Sequence, residues 1–260
     1  MKDYLKEFWT FRELFIALTL REIKIRYKQT ILGVAWAILQ PATFTAIFTI
    51  VFGIILKVSS GSVPYPIFSY SALLPWTFFA TALSFGALSV VNNGSLVTKV
   101  YFPRELLPFS AVGAAFFDFL MASLIFALML IFYKISININ ILFLLIIVPS
   151  LLLLTTGFSL IFATFNVLFR DIRFIIPLLV QIWLYVTPVI YSKETIPEKF
   201  QIFYLINPVA PLIQSFRDVT VFGKSPYLYD LIFSVVISLV VFLAGYAFFK
   251  NKEKIFADVI

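Results

Sequence analysis

Apolar residues gather into six long runs, at 33–56, 65–91, 107–133, 141–169, 174–191 and 228–249. A helix rising 1.5 Å per residue needs roughly 20 mostly apolar residues to cross the hydrocarbon core of a bilayer, and each run meets or approaches that length. The pattern predicts an all-α polytopic membrane protein with six transmembrane helices. Pro75, Pro149, Pro177 and Pro188 fall inside these runs, as spanning helices tolerate where neighbours satisfy the freed backbone. Ahead of the first run, Tyr4, Phe8, Phe11, Phe15 and Leu18 recur at helical spacing with charges between them. Residues 1–30 therefore read as an N-terminal amphipathic interface helix, its rings in the acyl boundary and its Lys and Arg among the headgroups. Between the fifth and sixth runs, the loop 192–227 holds two further apolar pieces, "FQIFYLI" and "VAPLIQSF", broken by Asn207-Pro208 and Pro211. Both are too short to span; they fit re-entrant helices lining a wet cavity, or a cap packed on the bundle. No internal repeat or low-complexity linker divides the chain, so 1–260 reads as a single domain.

Composition agrees with that pattern: 62% of the 260 residues are hydrophobic and only 13% charged, with mean hydropathy +1.02, against roughly a quarter charged in soluble domains. Charge placement then sets orientation, because short inner loops keep Lys and Arg. Fourteen of the 20 basic residues flank the spans on the side of the two termini, and six lie on the other side. Both termini are expected in the cytoplasm. A net charge of +7 raises the question of nucleic acid, but these charges are juxtamembrane and interrupted by spans, so membrane lipids are the expected partner. Without Cys or His the chain lacks a disulfide framework and the usual metal and acid–base residues; no catalytic or metal site is expected. No cleavable signal peptide is expected, because a long charged arm precedes the first apolar run.

The connection "NNGSLVTKVYFPRELLP" between the second and third runs is longer than a tight turn requires. Pro103 suits the first turn of a helix, where its missing N–H is unpaired anyway, and Glu105 complements the positive end of the helix dipole. A short surface helix over 99–108, bounded by Pro108, is predicted; it makes a stiff cytoplasmic knob able to take a push. The chain has no nucleotide site of its own to supply that push. "GKS" at 223–225 resembles the end of a P-loop, but the required upstream glycine is Asp218.

Five stretches, "LREIKIRYKQTILGVAWAILQP" (20–41), "VYFPRELLP" (100–108), "LFRDI" (168–172), "TPVIY" (187–191) and "INPVAPLIQSFRD" (206–218), occur in an order that resembles the membrane-spanning subunit of type-2 ABC exporters of polysaccharide, the O-antigen, capsule and teichoic-acid class. The resemblance covers nearly the whole chain. It implies a multi-pass permease of the bacterial inner membrane, working as a homodimer with two ATP-binding cassette subunits. ATP and Mg belong to the partner, and this chain carries no cofactor of its own. The cargo implied is a glycan on a polyprenyl diphosphate. The knob becomes a coupling helix whose Tyr101, Phe102, Pro103, Arg104 and Glu105 dock in a groove of the ATPase.

A diphosphate entering from the inner leaflet needs charge-assisted donors, and Arg21, Lys24, Arg26, Lys28, Arg170 and Arg173 stand on that side; snorkelling to lipid headgroups is the plainer role for each. Sugars offer apolar C–H faces and polar rims, which suit Trp36, Trp76, Trp183, Tyr185 and Tyr191, although Trp and Tyr also anchor spans at interfaces. Asp118 is an acid inside a span, where a buried partner is expected: a basic residue at a neighbouring span's end, or Asn166 or Gln181. Two alternatives stay open. One is a type-2 exporter of drugs or small lipids; the other, a membrane enzyme acting on lipid-linked sugars, lacks the paired carboxylates or metal cluster such chemistry needs.

Overall fold

A computed structural model describes residues 10–28, 30–195, 197, 199, 204 and 206–259, and among these there is no β-strand. The order is α1 (Arg12–Tyr27), α2 (Gly33–Ile55), α3 (Tyr65–Asn92), α4 (Gly94–Lys99), α5 (Leu106–Phe132), α6 (Ile139–Leu168), α7 (Ile172–Val186), α8 (Val209–Arg217), α9 (Leu228–Lys252) and α10 (Phe256–Val259). Helices α2, α3, α5, α6 and α9 are long and apolar enough to cross a membrane; α7, from the fifth run, has 15 residues. Its early end has a local cause. Thr187 precedes Pro188, whose ring disfavours the helical conformation one residue upstream, and Thr187 is extended (φ −91°, ψ 136°). Residues 2, 4, 6 and 8 of the arm and 200–203 and 205 of the first short apolar piece lie outside the described residues.

Helix α3 is the centre of the bundle. It packs on α5, where the Tyr70 hydroxyl donates to the Ala122 carbonyl at 3.0 Å and the Tyr70 ring stacks on Phe126, and on α6, where the Ser159 hydroxyl donates to the Ala82 carbonyl at 3.3 Å. Helices α6 and α9 cross at glycines: a Cβ on Gly157 would stand 2.7 Å from the Phe242 backbone, and one on Gly245 would stand 2.5 Å from the Gly157 carbonyl oxygen. Small residues of this kind let membrane helices approach to backbone contact. The bundle has two distinct ends. At the proximal end lie α1, α4, the α6–α7 junction and the chain's C-terminal tail; at the distal end, the amides of Asn138 and Asn140 donate to the Gly223 carbonyl and tie the α5–α6 turn to the loop after α8.

Two local expectations are corrected. The aromatic stripe of α1 faces protein: Leu18 is 5% exposed, and Phe11 and Phe15 pack with it against the proximal cluster of Val97, Phe102 and Leu107. Ile16, Leu20 and Ile25 are the outward apolar residues of that helix. In the connection after α3, the short helix is α4, Gly94–Lys99, ahead of the prolines; Pro103–Glu105 is a turn that runs straight into α5. Pro108 is the third residue of α5, where a helical N–H has no partner to lose, so it opens the span without bounding a separate helix.

Candidate functional site

Helix α1 ends on α5. Arg26 Nη1 donates to Asp118 Oδ2 at 2.6 Å, the Tyr27 hydroxyl donates to Asp118 Oδ1 at 2.5 Å, and the Arg26 guanidinium lies 4.1 Å from the centroid of the Phe85 ring. Asp118 thus has the basic partner expected of it, neither Asn166 nor Gln181. Burial first, and the bond to Asp118 second, raise the Tyr27 hydroxyl above the usual tyrosine range, so it stays a donor. Beside this triad opens a cavity of about 460 Å³ between α2, α3 and α5, lined by Trp36, Gln40, Thr77, Thr81 and Phe119 among others. Its charge is internally balanced, and its walls alternate rings with hydroxyl and amide groups.

A second cavity, of about 280 Å³, lies at the α6–α7 junction and is lined by Arg170, Arg173, Asn92, Asn166, Leu88 and Val259 among others. Arg173 lies over the neighbouring Phe174 ring, and no carboxylate pairs with either arginine among the described residues. Of the other basic candidates, Arg21 bridges Glu22 and Asn93, while Lys24 and Lys28 are exposed. The six predicted basic residues therefore separate into two ion-paired arginines, Arg26 and Arg21, two exposed lysines, and two arginines that make no close ion pair among the described residues.

The two cavities share one face of α3. Beyond Trp76, the only residues of that helix not buried are Thr77, Ala80, Thr81, Ser84, Phe85, Leu88, Val91 and Asn92, which fall on a single helical stripe. From Thr77 to Asn92 the stripe is about 22 Å long at 1.5 Å per residue. Thr77 and Ser84 return their hydroxyl protons to Leu74 and Ala80 carbonyls, leaving oxygen lone pairs outward. On either side stand the loosely held α2 and α7; Trp36, Gln40, Gln181 and Tyr185 are exposed, and Ile176 is the buried residue of α7. The remaining aromatic candidates are placed elsewhere. Trp76 is buried against Phe79, and Trp183 sits edge-on to Phe79 and Phe158 while donating to Asn207 at 2.9 Å. Tyr191 donates to the Tyr185 carbonyl at 3.1 Å.

Trp183 belongs to a distal knot that sequence reasoning did not anticipate. Asn207 donates to the Thr187 hydroxyl at 2.8 Å, Tyr65 donates to the Ile190 carbonyl at 2.8 Å, and the fully buried Arg217 donates to the Val189 carbonyl at 2.8 Å beneath the Phe68 ring. "TPVIY" and "INPVAPLIQSFRD" thus form one hydrogen-bonded unit that satisfies the unwound backbone after α7. At the proximal end, Tyr101 is 89% exposed, whereas Phe102, Pro103 and Glu105 are buried and Arg104 half-buried. Glu105 is held by Lys250 at 3.1 Å and by the Tyr246 hydroxyl at 3.3 Å, and Arg104 donates to the Glu253 carbonyl. Arg104 and Glu105 thus anchor the turn to α9 and the residue after it, and Tyr101 stands out from it.

Residues 13–221 match the ABC-2 type transporter family, from the last helix before the first span through the distal knot. The chain belongs to that family. Among ABC-2 relatives, an O-antigen export system permease protein from Klebsiella pneumoniae is 30% identical over 251 residues, 95% of each chain. One of the same name from Myxococcus xanthus is 27% identical over 257 residues, 98% of each. The polysialic acid transport protein KpsM of Escherichia coli is 24% identical over 244 residues, 92% of this chain and 93% of that one. Helix α1 from its second residue, both cavities' arginines and the open stripe of α3 all fall within the part of the chain that the ABC-2 family covers.

Proposed function

We propose that this ABC-2 chain is the permease subunit of an exporter that carries a polyprenyl-diphosphate-linked polysaccharide across the bacterial inner membrane, two copies forming the path and separate ATP-binding subunits supplying the work. The observation that carries this reading is the open stripe of α3, a half-polar face about 22 Å long inside a helix otherwise buried. Lipid would not favour Thr81, Ser84 and Asn92 on that face; a hydroxylated cargo or a second copy would. The proximal end faces the cytoplasm in this reading, as the basic residues require.

The two cavities divide the cargo between them. A diphosphate carries two or more negative charges and is best held by guanidinium groups that no carboxylate already occupies, so Arg170 and Arg173 take it, helped by the Asn92 and Asn166 amides. Arg26 is spent on Asp118, and its role is to hold α1 to α5. The balanced cavity beside it, with the Trp36 ring, Gln40, Thr77 and Thr81, suits sugar rings. The ATP-binding subunit docks on what the proximal surface exposes, Thr98, Lys99, Val100 and Tyr101, while Phe102, Pro103, Arg104 and Glu105 pass the movement inward.

Replacing Arg170 and Arg173 together by Gln tests the assignment. Hydrogen bonds to charged groups contribute about 1.5–3 kcal/mol each, so the export rate at limiting cargo should fall by roughly a hundredfold or more while the subunits still co-purify. Normal glycan appearance on the cell surface in the double variant would sink the diphosphate assignment.

A further inference from the structure

One wall of the Arg170–Arg173 cavity comes from the end of the chain. It is Val259, in the four-residue helix α10. That tail is fastened at several points. Phe256 is fully buried and meets the Phe249 ring edge-on at 5.2 Å, inside a cluster that also holds Val97 of α4, Phe102 of the turn and Val167, itself a cavity-lining residue. The Glu253 carboxylate rests 2.9 Å from the Lys250 ammonium, which also holds Glu105 at 3.1 Å, and the Glu253 carbonyl accepts from Arg104. Within seven residues, from Glu253 to Val259, the chain runs from the turn at 103–105 to the edge of the arginine cavity.

We propose that residues 253–259 are the element through which an anionic headgroup in that cavity is felt at the 100–105 turn, with Glu253 and Phe256 as positioning residues. This rests on the diphosphate reading of the cavity. The physical lever is the shared ammonium: Glu105 and Glu253 compete for Lys250, so a tail displaced when the cavity fills shifts Lys250 toward Glu105 and frees Arg104 from the Glu253 carbonyl. A ligand that interacts differently with the two seatings of the tail biases the turn, and the turn biases the ligand by the same factor.

The test uses the complete exporter, permease with its ATP-binding subunits, in lipid vesicles. Farnesyl diphosphate serves as the probe, and the ratio of probe-stimulated to basal ATP turnover is the readout. Two variants act on the tail at different points: Phe256→Ala unseats it, and Glu253→Gln weakens its hold on Lys250 while leaving the cavity lining in place. Coupling between sites commonly corresponds to roughly 5–150-fold, so a wild-type ratio above about fivefold should drop below about twofold in both variants, with complex assembly and basal turnover kept. Glu253→Gln decides if Phe256→Ala does not fold. A wild-type ratio retained in the variants overturns the tail's role alone, even where both rates fall together. Absence of stimulation in the wild type overturns the diphosphate reading and this proposal with it.

Discussion

Replacing Asp118 by Ala should destabilise the protein by about 3–5 kcal/mol, the cost of breaking a buried ion pair from one side. The carboxylate accepts from both Arg26 and Tyr27, so its removal strands a guanidinium and a phenol near mid-bundle, with the Phe85 ring and the Ala111 carbonyl, at 3.5 Å, as the remaining partners of the former. Arg26→Met should cost a similar amount by leaving the acid behind. The double change Arg26→Met with Asp118→Leu should recover most of the loss, because replacing both partners by apolar groups is often close to neutral. Melting curves of the detergent-solubilised protein decide it. Additive losses in the double variant would show that the two side chains do not act as a pair. Tyr27→Phe removes one donor to the charged carboxylate and should cost about 1.5–3 kcal/mol.

Gly157→Ala and Gly245→Ala should each destabilise by about 1–3 kcal/mol or more, because the obstacle to the new methyl group is backbone rather than a side chain that can swing aside. At Gly157 the methyl meets the Phe242 main chain at 2.7 Å, and at Gly245 it meets the Gly157 carbonyl at 2.5 Å. Helices α6 and α9 must separate to admit either. Since both substitutions open the same crossing, the pair should cost less than the sum of the singles. Gly113→Ala is the control. Its methyl would lie 3.2 Å from the Thr19 side chain and meet no backbone, so a shift of a few tenths of an ångström admits it and its melting temperature should move less. Equal shifts at all three positions would refute the backbone-contact account.

Spans were legible because membrane helices announce themselves by uninterrupted length, and the runs at 65–91 and 107–133 agree with α3 and α5 to within a residue. What eluded the sequence were matters of partner. Phe11, Phe15 and Leu18 were rightly placed on one face of α1, yet periodicity says only that a face is apolar, and here α5 and the tail region cover it in place of lipid. Pro103 and Pro108 each fit the start of a helix, and spacing alone could not show that the helical turn lies ahead of both. Arg26 and Asp118 are 92 residues apart, so both read as charges in search of company. Arg217 counted as one more loop charge, although the apolar run around it, "VAPLIQSFRDVTVF", was a sign of burial. The polar stripe of α3 was available in principle, since Thr77, Thr81, Ser84 and Asn92 keep near-helical spacing. The role of the tail was not: "EKIFADV" looks like an ordinary solvated terminus, and only the contact of Phe256 with Phe249 shows otherwise.

The last seven residues of α2, Thr49–Ile55, are wound as π-helix, with hydrogen bonds reaching one residue further than in the α-form. Such a wide coil holds a residue in reserve. Tightening it would screw Trp36 and Gln40 around the axis of α2, so the wall of the cavity beside Arg26 has a swivel built into its own winding.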